Sequence, residues 1–162
     1  MKDVIELLNA MRAAGVIVDY ALFGAIAQMR YTQPVVTLDL DVLVQLPASS
    51  RTDVLGEIYR FCAARGYRPE GEAIRIGAWP VQFLPAYDAL TREALKHAET
   101  AEMSGLPVQV VRAAHLAAIA LSTGREKDNS RILALLESRK TNREKLQAWR
   151  RGMDWAGPGS AF

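Results

Sequence analysis

Val16-Ile17-Val18-Asp19-Tyr20-Ala21-Leu22-Phe23-Gly24-Ala25 and, beyond Pro34, Thr37-Leu38-Asp39-Leu40-Asp41-Val42-Leu43-Val44 are the two stretches from which the fold is read. The first is a β-branched and aromatic run that stops at a glycine, after which Ala25 to Arg30 contains good helix formers. It predicts strand, tight turn, helix. In the second, Val36, Leu38, Leu40, Val42 and Val44 share one parity and Thr37, Asp39 and Asp41 the other, which predicts a half-buried strand over Val36 to Val44. Residues two apart on a strand project from one face, so Asp39 and Asp41 are expected side by side, with Leu38, Leu40 and Val42 entering the core opposite.

Two carboxylates placed that closely repel each other, and a divalent cation between them removes the conflict and favours ionisation of both. Oxygen ligands with open positions for phosphate oxygens suit magnesium. An isolated Asp-x-Asp also describes two solvated residues on an exposed face. At Gly24, a strand that opens directly into a helix points unpaired N–H groups outward, which makes an anion site, although any tight strand-to-helix turn favours glycine. Together the two features offer a phosphate cradle and a metal site.

Outward from this centre, Val4, Leu7, Leu8 and Met11 form one helical stripe over residues 2–14, ended by Gly15. Ser49 to Ala64 predicts a helix, and Ala73 to Ile76 with Trp79 to Leu84 a hairpin across Gly77-Ala78. Asp88 to Ala98 predicts a helix and Pro107 to Val111 a strand. Helices then follow over Ala113 to Thr123, Lys127 to Ser138 and Asn142 to Arg151, the last opened by Thr141-x-x-Glu144. The pattern predicts an α+β fold with a mixed sheet and a helical C-terminal third. We read one domain over residues 1–151, with its core in 16–111 and C-terminal helices in 113–151, and a flexible tail over 152–162.

The chain has 162 residues, half of them hydrophobic, enough for a sizeable core without disulfides. The lone Cys62 cannot form an intrachain bridge, and two histidines with one cysteine are too few for a zinc site of the usual ligands. His115 reads as a packing or capping residue and His97 as solvated. No apolar run approaches a membrane span and the N-terminus lacks a signal-peptide pattern, so a cytoplasmic chain without membrane association is expected. The net charge of +2 is local: Arg139, Lys140, Arg143, Lys145, Arg150 and Arg151 cluster near the C-terminus. That basic helix either docks through Leu146 and Trp149 with its charges in water or contacts RNA or an acidic partner.

Leu22-Phe23-Gly24-Ala25-Ile26-Ala27 followed by Thr37 to Val44 resembles the first motif of the polymerase-β-type nucleotidyltransferase superfamily. The branch most resembled contains small prokaryotic enzymes, including abortive-infection toxin and minimal toxin–antitoxin nucleotidyltransferases. Pro80-Val81-Gln82-Phe83-Leu84-Pro85 is similar to the strand carrying a third carboxylate, and Leu116 to Asp128, ending Gly124-Arg125-Glu126-Lys127-Asp128, to the branch's helix-turn motif. The resemblance implies a nucleotidyltransferase-like mixed sheet packed with helices. It implies catalytic, metal-holding roles for Asp39 and Asp41 with Mg2+ or Mn2+, and a nucleotide-binding set of Gly24, Ala25, Thr37, Arg125, Lys127 and Asp128. Within that set Gly24 and Ala25 cradle phosphate through backbone N–H groups, Arg125 and Lys127 contact phosphate or acceptor, and Asp128 orients one of them. Asp128 alternatively just caps the following helix, with Arg125 and Lys127 solvated.

Four positions depart from the family pattern. Ala25 replaces Gly or Ser, Val35 replaces an Arg, Gln82 stands where the third Asp would be, and Ala120 where a Lys is frequent. The activity implied is transfer of a nucleoside monophosphate from a nucleoside triphosphate to a protein or RNA acceptor. The departures support an alternative, a catalytically impaired binding module of the same fold within a toxin–antitoxin or phage-defence pair. A third reading is a plain interaction domain with both Asp on the surface.

Overall fold

The computed structural model describes residues 1–48, 53, 55–138, 140, 141, 144, 146 and 147. Helix α1 (Lys2–Ala13) turns Val4, Ile5, Leu7, Leu8 and Met11 inward, as its apolar spacing predicts. The chain then runs through β1 (Asp19–Leu22), the short helix α2 (Gly24–Gln28), β2 (Leu40–Gln45) and α3 (Gly56–Ala63). It continues with β3 (Arg68–Glu70), β4 (Ala73–Ile76), β5 (Trp79–Pro85), α4 (Ala89–Lys96), β6 (Glu99–Met103) and β7 (Leu106–Val110). Helices α5 (Ala113–Thr123) and α6 (Glu126–Glu137) follow. The architecture is α+β: among the described residues, a seven-stranded mixed sheet with six helices.

The strand order is β3-β4-β5-β2-β1-β7-β6. Strand β2 is central, antiparallel to β1 with Leu22 opposite Val42, and parallel to β5 with Asp41 opposite Gln82. Leu40, Val42 and Val44 on one of its faces and Leu43 on the other are all buried, so β2 is covered on both sides. Helix α1 lies on the Tyr20 face, where the phenol donates to Asn9 Oδ1 at 2.8 Å. Helix α4 packs against β1, β2 and α5, and α5 in turn against α2 and α6. Asp88 starts α4 by accepting from the Thr91 N–H at 2.7 Å while Thr91 Oγ1 accepts from the Asp88 N–H at 3.3 Å. Truncating a core leucine such as Leu40 would cost about 2–5 kcal/mol.

One strand starts later than its alternation predicts. Residues 34–39 are irregular, with Val36 and Leu38 96% and 86% exposed, so Leu38 does not enter the core. The reason is the lack of partners. Strand β1 ends at Leu22 and its chain turns away at Gly24, while on the β5 side the ladder begins at Val81, next to Pro80, which has no N–H to give. Strands β3 and β6 form where the sequence predicted none. The predicted helix over Asn142 to Arg151 and the tail over Gly152 to Phe162 lie outside the described residues, apart from Glu144, Leu146 and Gln147, as does the start of the predicted helix at Ser49.

Candidate functional site

The end of β1 is locked to the start of β2 by the Phe23 N–H donating to the Asp41 carbonyl at 2.9 Å. The next residue, Gly24, has φ +60°, a left-handed conformation that L side chains rarely adopt. A Cβ there would overlap the Asp41 carboxylate and lie only 2.9 Å from its Cγ. Glycine is thus required twice, by backbone angle and by space. The carboxylate rests against the first residue of α2, whose initial N–H groups have no acceptor within the helix and carry partial positive charge. Ala25 follows in the same turn, half-buried.

Asp39 stands one residue before β2, exposed, rather than within the strand. Thr37 Oγ1 lies 3.1 Å from Asp39 Oδ1 and 2.9 Å from its carbonyl, so its single proton is shared between two acceptors on one residue. The threonine thereby folds the irregular segment onto Asp39. Asp41 and Gln82 are direct neighbours on parallel strands and project from the same sheet face. The Gln82 amide donates to Glu72 Oε2 at 3.1 Å, and the Glu72 carbonyl accepts from Tyr59 Oη at 3.4 Å. Sequence reasoning missed Glu72. Counting back along the β4–β5 hairpin puts Glu72 one residue before β4 and opposite Phe83 rather than Gln82, so the local pattern held no signal for this contact.

Arg125 and Asp128 are brought together. Asp128 is fully buried and accepts from Arg125 Nε at 2.9 Å and from Arg131 Nη1 at 3.3 Å, and its carboxylate also caps the Arg125 N–H at 3.3 Å. Both roles weighed for Asp128, helix cap and partner of a basic residue, therefore occur in one side chain. Arg125 remains about half exposed, whereas the Arg131 side chain is 13% exposed and its Nε donates to Gln28 Oε1 at 3.1 Å. This links α6 to the far end of the helix that Gly24 begins. The Lys127 side chain lies outside the described residues. Ala120 is buried in α5, where a lysine would have no water for its ammonium.

His115 is buried, as its reading as a packing residue expects. Its ring stacks on His97 with centroids 5.9 Å apart and planes 13° apart. Burial, with smaller contributions from His97 and Arg112, pushes its pKa down to about 4. Among the described residues, the group of three metal-binding side chains that converges is Glu93, His97 and His115, not one built on Asp39 and Asp41.

No protein-family model and no curated protein matches the chain. Solved structures do. An antigenic nucleotidyltransferase-like protein from Paracoccidioides brasiliensis superposes with TM-score 0.58 at 13% identity, covering 93% of this chain and 85% of that one. The antibiotic-resistance factor ANT(2'')-Ia in solution gives TM-score 0.54 at 17% identity, over 91% of this chain and 88% of its own. Its crystal structure with adenylyl-2''-tobramycin gives 0.53 at 17% identity, over 91% and 93%. The chain therefore has a nucleotidyltransferase fold. It is the polymerase-β type of that fold that the Gly24 bend and the Asp39-x-Asp41 segment resemble. No described helix is long and apolar enough to cross a membrane.

Proposed function

We propose that the protein is a divalent-metal-dependent nucleotidyltransferase that moves a nucleoside monophosphate from a nucleoside triphosphate to a protein or RNA acceptor. The observation that carries this reading is the packing of the Asp41 carboxylate against the Gly24 bend, which puts an acidic ligand and backbone donors at one point. The donor set fits a hard cation: Asp39 and Asp41 are oxygen ligands, Asp39 is open to solvent, and Gln82 beside Asp41 carries an amide oxygen. Asp39 and Asp41 would hold Mg2+ or Mn2+, which would supply positive charge against the negative charge developing at the α-phosphorus.

The remaining steps fall to the chain itself. Backbone N–H groups of Gly24 and Ala25 hold phosphate oxygens. Thr37 orients Asp39, and Arg125, steadied by Asp128, contacts phosphate or acceptor together with Lys127. The acceptor oxygen bonds to the α-phosphorus as the bond to pyrophosphate breaks, and the acceptor proton goes to solvent, because the Gln82 amide is not a base.

That last point favours a second reading. Gln82 turns its amide to Glu72, and Ala120 is sealed in the core, which suits a nucleotide-binding module without turnover, paired with a partner in a toxin–antitoxin or phage-defence system. The experiment incubates the chain with each labelled nucleoside triphosphate, magnesium or manganese, and cell extract, with an aminoglycoside as a further acceptor given the likeness to ANT(2'')-Ia. Label transfer lost in Asp39→Asn/Asp41→Asn establishes catalysis. Metal-dependent nucleotide binding without transfer, lost in the same variant, establishes the module. Nucleotide affinity unchanged in that variant rejects both.

A further inference from the structure

We propose that Glu93, His97 and His115 form a zinc-binding site that clamps α4 to α5. One ligand atom from each lies within 4.8 Å of the other two. Around a tetrahedral zinc, ligand atoms sit roughly 3.3 Å apart, as bonds of about 2.0–2.1 Å require. The closure needed is about an ångström or so per side chain. His97 is exposed and Glu93 half-buried, so the core does not enclose either against that movement, while buried His115 is the fixed point.

Three features prepare the site. Glu93 and His97 are four apart on α4 and so share a face, and His115 comes from α5, which packs on that helix. His97 Nδ1 lies 3.1 Å from the Glu93 carbonyl. A carbonyl only accepts, so Nδ1 is the donor in this contact, which leaves Nε2 as the ring nitrogen facing a metal, the arrangement by which a backbone acceptor orients a ligating histidine. His115 is enclosed in the core and stacked on His97, so packing holds its ring beside the other two groups.

Arg112, at the start of α5, is already paired: its Nε lies 3.2 Å from Glu99 Oε1. The two histidines that composition alone makes too few for zinc are completed by the Glu93 carboxylate and a fourth position for water, a set that suits zinc better than magnesium, whose ligands are all oxygen. This site is separate from Asp39 and Asp41, and it does not depend on the chain transferring nucleotides.

The test uses the untagged full chain, freed of metal by EDTA and dialysed, with zinc chloride as the probe. Calorimetry is expected to show about one zinc per chain, and cobalt substitution the visible absorption of a tetrahedral site. Because His97 is exposed, His97→Ala should fold normally, judged by circular dichroism, and weaken zinc at least about 100-fold. Glu93→Gln should weaken it less. Asp39→Asn/Asp41→Asn should bind zinc as the parent does. Zinc affinity equal in the parent and His97→Ala, loss of binding in the Asp double variant alone, or no binding at about 100 μM overturns the proposal.

Discussion

The side chain that Gly24 lacks would occupy the space taken by the carboxylate of Asp41. A residue with no side chain and a residue with an acidic one, seventeen positions apart in the chain, are fitted to each other as one packing unit.

That fit makes Gly24→Ala a graded probe. Gly15 also has positive φ, +72°, but nothing within 4 Å of an added Cβ, so Gly15→Ala should cost only the backbone term of about 1–2 kcal/mol. Gly24→Ala should cost about 1–3 kcal/mol more, as overpacking does. Adding Asp41→Ala should recover that excess. Urea denaturation of the four proteins measures it, and equal costs at Gly15 and Gly24 would mean that the two residues do not touch.

Asp128 is the buried charge on which two arginines converge. Asp128→Ala strands Arg131, nearly enclosed beside Gln28, and should destabilise by about 3–5 kcal/mol. Asp128→Asn, which still accepts at the helix cap, should lose less. Denaturation midpoints decide the matter; a loss below about 1 kcal/mol for the alanine variant would show that α6 is held by other contacts.

Gln82→Asp places a second carboxylate directly beside Asp41. Without metal the like charges should lower the melting temperature, and magnesium should restore it. If the chain catalyses transfer, the variant should also be faster, since a base then faces the acceptor. Melting curves with and without magnesium read the first effect. A variant whose stability ignores magnesium would argue against a cation between these strands.

The depressed pKa of His115 ties stability to pH. Unfolded, the ring takes a proton near its ordinary value of 6.5, whereas folded it resists until about 4. Its contribution is fully present above pH 6.5 and is lost as pH falls towards 4, about 3 kcal/mol across the window. Denaturation at pH 7 and pH 5 in EDTA should show the fall, with a flatter profile in His115→Gln. Identical slopes for the two proteins would contradict it.

The central elements were legible in the sequence. The hairpin of β4 and β5 and the helix α5 follow their predicted bounds because buried, paired segments impose clean periodicity. Strands β3 and β6 were not legible: each has a single partner, and Arg68-Pro69-Glu70 and Glu99-Thr100-Ala101-Glu102-Met103 carry too little apolar alternation. At the site, Gly24 and Asp41 could be read from local pattern. Asp39 was misplaced because alternation says nothing about whether a neighbouring strand is present. Glu72 and the pairing of His97 with His115 depend on which elements pack together, which no local window records.

Those two outlying strands also bear on how the protein meets copies of itself. At one margin Pro69 offers no N–H, and Arg68 and Glu70 flank it, both exposed. At the other, Glu99 and Glu102 set charged side chains along the edge that an incoming strand would have to pair with. A sheet ended in this way resists zippering into fibrils or stacked ribbons, so its concentrated solutions should stay clear.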